Sequence, residues 1–264
     1  MLDAHPELAI PPETHFLPRV IRACRRDPSP ERVAWVITSH RRWADFGLDE
    51  AELLDRLRAI EPLEAGPAIR AFYRLYAEKQ GKPRWGDKTP GYATRMRRIQ
   101  RALPEARFVH LIRDGRDVVL SRQTKSRRPP PVGLAAKRWK RRIISTRKRA
   151  KGVSHYLELR YEDLVLDTEG TLRRVCEYIE MPFDPAMLAY HERAEERLGE
   201  IDRGLPAKRG RPRLGARRRL AAHERASGPP APERVGAWRT EMTSRDRAAF
   251  EAEAGDLLAE LGYI

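Results

Sequence analysis

Residues 108–121, FVHLIRDGRDVVLS, set an apolar run directly against a charged turn and a second apolar-rich stretch. Arg107–Ile112 is the continuous apolar run expected of a strand buried on both faces of a parallel sheet. Arg113-Asp114-Gly115-Arg116-Asp117 then turns the chain into a helix that carries Val118, Val119 and Ser121. In an open parallel sheet, ligands bind beyond the C-terminal ends of the strands. A helix N-terminus at that place offers N–H groups and a positive dipole end, which suit a phosphate. Arg113 adds a permanently charged, forked donor, and Ser121, two turns on, a neutral one. The same five charged and glycine residues also suit a βα turn that pairs with itself. Either way the segment belongs to an α/β fold.

The remaining periodicity agrees with that class. In LDEAELLDRLRAI, Leu53, Leu54, Leu57 and Ile60 recur at helical spacing behind the cap Asp49. TPGYATRMRRIQRALP predicts a helix with Thr89 as N-cap, Pro90 in its first turn, and Tyr92, Met96, Ile99 and Leu103 on one face. GTLRRVCEYIEMP carries Leu172, Val175, Cys176 and Ile179 on one stripe. The last helix has Phe250, Ala254, Leu257, Leu258 and Leu261 in phase, Ser244 before it and Gly262 closing it. HYLELRY (His155–Tyr161) reads as a second strand, and short strands precede Glu13 and Lys88. Strands separated by helices imply βαβ units and a single α/β domain over residues 1–264. Within it, residues 204–233 are rich in Arg, Pro and Gly and read as a long surface loop.

Composition narrows the partners only a little. A formal charge of +15 attracts polyanions, be they nucleic acid, an anionic membrane or a phosphate-bearing co-substrate. The Arg-, Ala- and Pro-rich mixture is also what G- and C-rich codons produce, so the charge by itself assigns no partner. No apolar stretch is long enough to span a bilayer. Two cysteines, Cys24 and Cys176, build neither a disulfide framework nor a zinc site, which makes a reducing cytoplasm the default compartment. The seven histidines are scattered singly, and no metal is expected.

LIRDGRDVVLS resembles the 3′-phosphate-binding motif of the sulfotransferases that use 3′-phosphoadenosine 5′-phosphosulfate. Four further stretches extend the resemblance in order along nearly the whole chain. LDAHPELAIPPETHFLPR is similar to the segment after the first helix of tyrosylprotein sulfotransferases and their bacterial relatives. GDKTP matches the family's strand-end lysine motif, and LRYEDLVLD its Tyr-Glu-Asp-Leu segment. RVGAWRTEMTSRDRAAFEAEAGDLLAELGY resembles its Gly-x-Trp segment and final helix.

The resemblance implies a P-loop-NTPase-like parallel sheet flanked by helices, and transfer of a sulfuryl group to a hydroxyl or amine acceptor. It assigns the 3′-phosphate to Arg113 and Ser121 and the adenine to Tyr161. It closes Arg234, Gly236, Trp238 and Arg239 over the nucleotide, although a core Trp flanked by exposed arginines suits those residues equally. It makes Glu13 the catalytic base, its pKa raised by partial burial, with His15 as the rival base. A helix-start carboxylate is the plainer role for Glu13, as a solvated strand-end lysine is for Lys88. The family role of Lys88 is to meet charge developing on the bridging oxygen or sulfuryl group. Asp87 and Asp163 read as turn and cap residues.

The family's first strand and its glycine-containing 5′-phosphosulfate loop have no counterpart here, since the first glycine is Gly47. The resemblance therefore implies a native start upstream of Met1, and a chain starting at Met1 is expected to be unstable and inactive in transfer. Two other readings stand beside the enzyme: a non-catalytic relative that binds adenosine bisphosphate, and a basic nucleic-acid-binding protein resting on KRGRPRLGARRR. That basic stretch has no recognition motif beside it, so no specific nucleic acid is expected. The acceptor stays open among a sugar, a phenol and a peptide hydroxyl, and nothing sets an oligomeric state.

Overall fold

The computed structural model describes residues 1–124, 128–202, 204–207, 214–217, 220 and 228–264. The chain divides into two compact units, Met1–Ala106 with Asp184–Pro229, and Arg107–Phe183 with Pro230–Ile264.

In the first unit, two short parallel strands, β1 (Leu8–Ala9) and β2 (Arg84–Trp85), pair Leu8 with Arg84 and Ala9 with Trp85. They are the strands expected before Glu13 and Lys88. Helices α1 (Leu17–Arg26), α2 (Pro30–Thr38), α3 (Trp43–Phe46), α4 (Glu50–Arg58), α5 (Ala65–Lys79) and α6 (Met96–Ala102) complete the unit. Asp49 caps α4 as expected, accepting from the Glu52 N–H at 2.9 Å. Three rings meet edge to face in the core, with Phe72 lying 4.8 Å from Phe16 and 5.1 Å from Phe46.

The helix expected from Thr89 onward is broken. A 3₁₀ turn covers Pro90–Thr94, and α6 starts only at Met96. Thr89 makes no side-chain cap, because its hydroxyl instead accepts the backbone N–H of Thr14 at 3.0 Å.

In the second unit, β3 (Phe108–Ile112) and β4 (Tyr156–Arg160) form a parallel ladder that ends with Ile112 opposite Arg160. β3 runs into α7 (Gly115–Gln123), followed by α8 (Val132–Ala150), α9 (Tyr161–Leu166) and α10 (Thr168–Tyr178). The C-terminal helix spans Ser244–Glu260, capped by Thr243, and Gly262 ends it with φ +70°. Ile112, Val119, Trp139, Ile143, Phe250 and Leu257 share one buried core. Burial of β3 on both faces does not hold: Val109 is 38% exposed and Leu111 43%. An apolar run records how hydrophobic a strand is, and its faces are covered only where other elements pack.

Most of the Arg/Pro/Gly-rich stretch 204–233, including nearly all of KRGRPRLGARRR, lies outside the described residues. Within that stretch, Leu205 and Leu214 exchange two backbone hydrogen bonds, at 2.8 and 3.0 Å, as an isolated antiparallel bridge.

Candidate active site

Residues predicted to act on substrate fall into two clusters, one in each unit. The first follows from the β1–β2 register. With Ala9 opposite Trp85 and Gly86 N–H bonded to Ala9 O at 2.9 Å, the segments Pro11–His15 and Asp87–Thr89 leave the strands side by side. Thr14 locks them together. Its N–H bonds Thr89, its hydroxyl donates to Asp87 Oδ2 at 2.8 Å, and Tyr73 and Tyr92 hydroxyls lie 3.2 and 2.8 Å from it. Asp87 is thus a buried acceptor in this lock and more than a turn residue. Burial raises its pKa, against the hydrogen bonds that stabilise its charge.

The lock sets Glu13 beside Lys88. Lys88 Nζ lies 2.9 Å from Glu13 Oε1, His15 Nε2 2.9 Å from Oε2, and an Arg42 guanidinium nitrogen 3.7 Å from Oε2. His15 has φ +55°, a sparsely populated backbone for a residue with a side chain, and that conformation accompanies the turn of its ring onto Glu13. The expected rise in the Glu13 pKa is overturned. The hydrogen bond from His15 lowers it most, Lys88 and Arg42 lower it further, and together they outweigh burial and bring it to about 2. Sequence reasoning found Glu13, His15 and Lys88 but missed Arg42, which carries no local motif, and the lock built on Thr14.

This cluster has a pH signature. Because the folded pKa of Glu13 is depressed from 4.5 to about 2, its stabilising contribution is complete above about pH 4.5 and is lost as pH falls toward about 2. Replacing Lys88 by Met removes one of the cations and moves the Glu13 titration upward. A carbon-13 NMR titration of the Glu13 carboxyl checks this, and an unmoved midpoint would show that Lys88 does not hold Glu13 in solution.

The second cluster stands at the C-terminal edge of β3 and β4. Since Ile112 faces Arg160 at the ends of the two strands, the residues that follow them, Arg113 and Tyr161, emerge as neighbours. The Arg113 guanidinium lies 4.7 Å from the centre of the Tyr161 ring, a cation–π contact. One Arg113 terminal nitrogen donates to Arg234 O at 2.7 Å, while its Nε is buried with no hydrogen-bond partner. That orphaned donor fits an anionic ligand. Asp117, fully buried, ties the cluster together. It accepts from the backbone N–H of Gly236 and of Trp238, each at 3.0 Å, and lies 3.4 Å from Arg113. Gly236, at φ +73°, gives the backbone turn this needs.

The start of α7 is not the open phosphate site that the sequence suggested. Asp114 caps it, its Oδ1 accepting the Arg116 N–H at 2.8 Å. Ser121 lies half-buried on the same helix. Arg116, the second arginine of the motif, is structural: it is wholly buried against Asp114 and Glu251, 3.6 Å from the Trp238 ring centre. Trp238 is itself buried, and the exposed Arg239 lies over its ring at 4.8 Å. Asp117 was not foreseen as a positioning group, although its place four residues after Arg113 was a usable signal.

With this geometry in view, a family model described as "Sulfotransferase family" matches residues 1–185. Protein-tyrosine sulfotransferase 1 of Danio rerio is 26% identical over 200 residues, covering 73% of this chain and 51% of the relative. Protein-tyrosine sulfotransferase A of Caenorhabditis elegans is 27% identical over 203 residues, covering 73% and 48%. The chain thus spans about half the length of these relatives. Two solved structures are similar in fold. One is the sulfotransferase domain from the Synechococcus PCC 7002 olefin synthase, at TM-score 0.52 and 20% identity, covering 96% of this chain and 87% of that one. The other is the sulfotransferase domain from the curacin biosynthetic pathway, at TM-score 0.54 and 17% identity, covering 97% and 90%.

Proposed function

This chain belongs to the sulfotransferase family, and on that footing we propose that it transfers a sulfuryl group from 3′-phosphoadenosine 5′-phosphosulfate to a hydroxyl or amine acceptor. The observation that carries the reading is the Glu13 carboxylate held 2.9 Å from Lys88, an ionised acceptor of protons beside a donor for developing negative charge. In the reaction, the acceptor oxygen or nitrogen bonds to sulfur as the bond from sulfur to the 5′-phosphate oxygen breaks, releasing adenosine 3′,5′-bisphosphate. Such transfers ask the protein mainly to position groups and stabilise charge.

Glu13 takes the acceptor's proton. It is a weak base while His15, Lys88 and Arg42 all hold it. Lys88, with its side chain 61% exposed, has room to turn toward the leaving oxygen. That movement removes one cation from Glu13 and strengthens it as a base while the acceptor proton is released. His15 keeps the carboxylate oriented. In the second unit, Arg113 supplies its unpartnered Nε–H to the 3′-phosphate with Ser121, and Tyr161 offers its ring to the adenine. Asp117 holds the Arg234–Trp238 segment against Arg113. The names of the relatives favour a tyrosine hydroxyl among the possible acceptors, alongside a sugar or a small phenol. We place the reaction in the cytoplasm on the cysteine usage of the chain.

The Arg113→Ala variant tests the nucleotide assignment. It should weaken binding of adenosine 3′,5′-bisphosphate by about 1.5–3 kcal/mol, the value of a hydrogen bond to a charged group. Asp117 keeps its two backbone donors in that variant, and a urea unfolding curve of the variant separates lost nucleotide binding from lost stability. Titration calorimetry measures the change, and an unchanged affinity would remove Arg113 from the site.

A further inference from the structure

Helix α8 carries eight cations and no acidic residue. Its buried stripe, which includes Val132, Ala136, Trp139 and Ile143, faces the core, and the cations spread over the remaining circumference. The C-terminal helix neutralises one flank. Lys137 pairs with Glu253 at 3.0 Å, Lys140 with Asp256 at 2.6 Å, and Arg147 with Glu260 at 2.5 Å and with Glu158 of β4 at 2.7 Å. The other flank has no such complement. Arg138, Arg141 and Arg142 are exposed, and none of them makes a hydrogen bond or ion pair with a described residue. Two large aliphatic side chains stand out on the same helix, Leu134 at 43% exposure and Ile144 at 48%. At 3.6 residues per turn, Leu134, Arg138, Arg141 and Arg142 project from one side.

We propose that this face of α8 docks on a bilayer that contains anionic phospholipid. Arginine forks bind phosphate, and clustered cations on a helix are drawn to the negative surface potential that such lipids create. Aliphatic side chains among the cations enter the headgroup boundary, and the arginine stems lie along it with their charges in water. Leu134 and Ile144 favour a bilayer over a nucleic acid, whose phosphates would engage the arginines and leave both aliphatic groups in water. Helix α8 also offers no exposed aromatic ring on which bases could stack, since Trp139 is buried. Helix α1 makes a useful contrast: it presents Arg22, Arg25 and Arg26 to solvent, but exposes no large aliphatic side chain. It supplies the charge without the second component. This docking surface stands apart from the Glu13 cluster and does not depend on the sulfuryl-transfer reading.

The test is sedimentation of the full chain with vesicles of phosphatidylcholine alone, and with vesicles of phosphatidylcholine and phosphatidylglycerol in equal parts. The protein should sediment with the mixed vesicles only. The triple variant Arg138→Gln/Arg141→Gln/Arg142→Gln should lower the partition coefficient roughly 100-fold, the combined effect of three surface cations. Its urea unfolding should match the wild type, since these side chains bond no described residue. The charge-matched variant Arg22→Gln/Arg25→Gln/Arg26→Gln should lose less than about threefold, because long-range attraction is screened at physiological salt. Leu134→Gln/Ile144→Gln, with the charge unaltered, should lose roughly tenfold. Absence of binding to the mixed vesicles, equal binding to phosphatidylcholine, or equal losses in the two arginine variants would overturn the proposal. So would wild-type partition of the aliphatic variant together with tighter binding of random-sequence duplex DNA or poly-glutamate, which would assign the face to a nucleic acid or an acidic protein.

Discussion

Glu13→Gln is expected to lower turnover by about 10²–10⁴-fold, the usual contribution of a positioned general base, and to leave affinity for adenosine 3′,5′-bisphosphate unchanged. Glutamine fills the same volume, and its one carbonyl oxygen can still accept from Lys88 while its amide NH2 faces His15 Nε2. It lacks the carboxylate proposed to take the acceptor proton. Arg113 and Tyr161, proposed to hold the nucleotide, follow the ends of β3 and β4 in the second unit. Single-turnover rates together with calorimetric affinities separate the two effects. Wild-type rates in this variant would move the base to His15, whose Nε2 lies 2.9 Å from the same carboxylate.

The largest effect on stability is expected from Arg116→Ala. This guanidinium has no solvent exposure and reaches three acceptors: Asp114 at 2.8 Å, Glu251 at 2.9 Å and the Tyr263 carbonyl at 3.0 Å. It also covers the Trp238 ring. Truncation leaves the buried Asp114 carboxylate without its cation, and breaking a buried pair from one side costs about 3–5 kcal/mol. Glu251 retains Arg247 at 3.0 Å, so the deficit falls on Asp114. Urea unfolding followed by tryptophan fluorescence checks this, since Trp238 and Trp139 report on the same unit. A loss below about 1 kcal/mol, the range of a solvated surface pair, would show that the Arg116 network is not held in solution.

The second cluster was the more legible of the two in the sequence. An apolar strand that runs straight into Arg113 announces a βα turn, and the parallel pairing with the Tyr161 strand needs only local pattern to be suspected. What the strand pattern could not disclose was which faces are covered, so Val109 and Leu111 were misjudged. The first cluster depends on a pairing of two residues with two residues, seventy-six positions apart, between Leu8–Ala9 and Arg84–Trp85. Strands that short leave almost no periodic trace, and the Thr14–Thr89 bond between them is a tertiary event that also displaced the expected helix cap.

The charge of Glu13 was misread for a similar reason. Burial was foreseeable from its apolar neighbours, but Arg42 reaches it from a separate part of the chain, and the left-handed backbone of His15 leaves no mark in composition. Helix α8 was missed because its buried stripe, Val132, Ala135, Ala136, Trp139, Ile143, Thr146 and Ala150, mixes small with large residues among many cations, and its N-cap is Pro131 with no side-chain bond.

The central claim is that this chain anchors a 3′-phosphorylated adenosine nucleotide through Arg113. It is tested most directly by titrating the protein with adenosine 3′,5′-bisphosphate and, separately, with adenosine 5′-monophosphate. The bisphosphate is expected to bind roughly 10- to 150-fold more tightly, the equivalent of one charged hydrogen bond, and the preference should vanish in Arg113→Ala. Equal affinity for the two nucleotides in the wild-type protein would contradict the account.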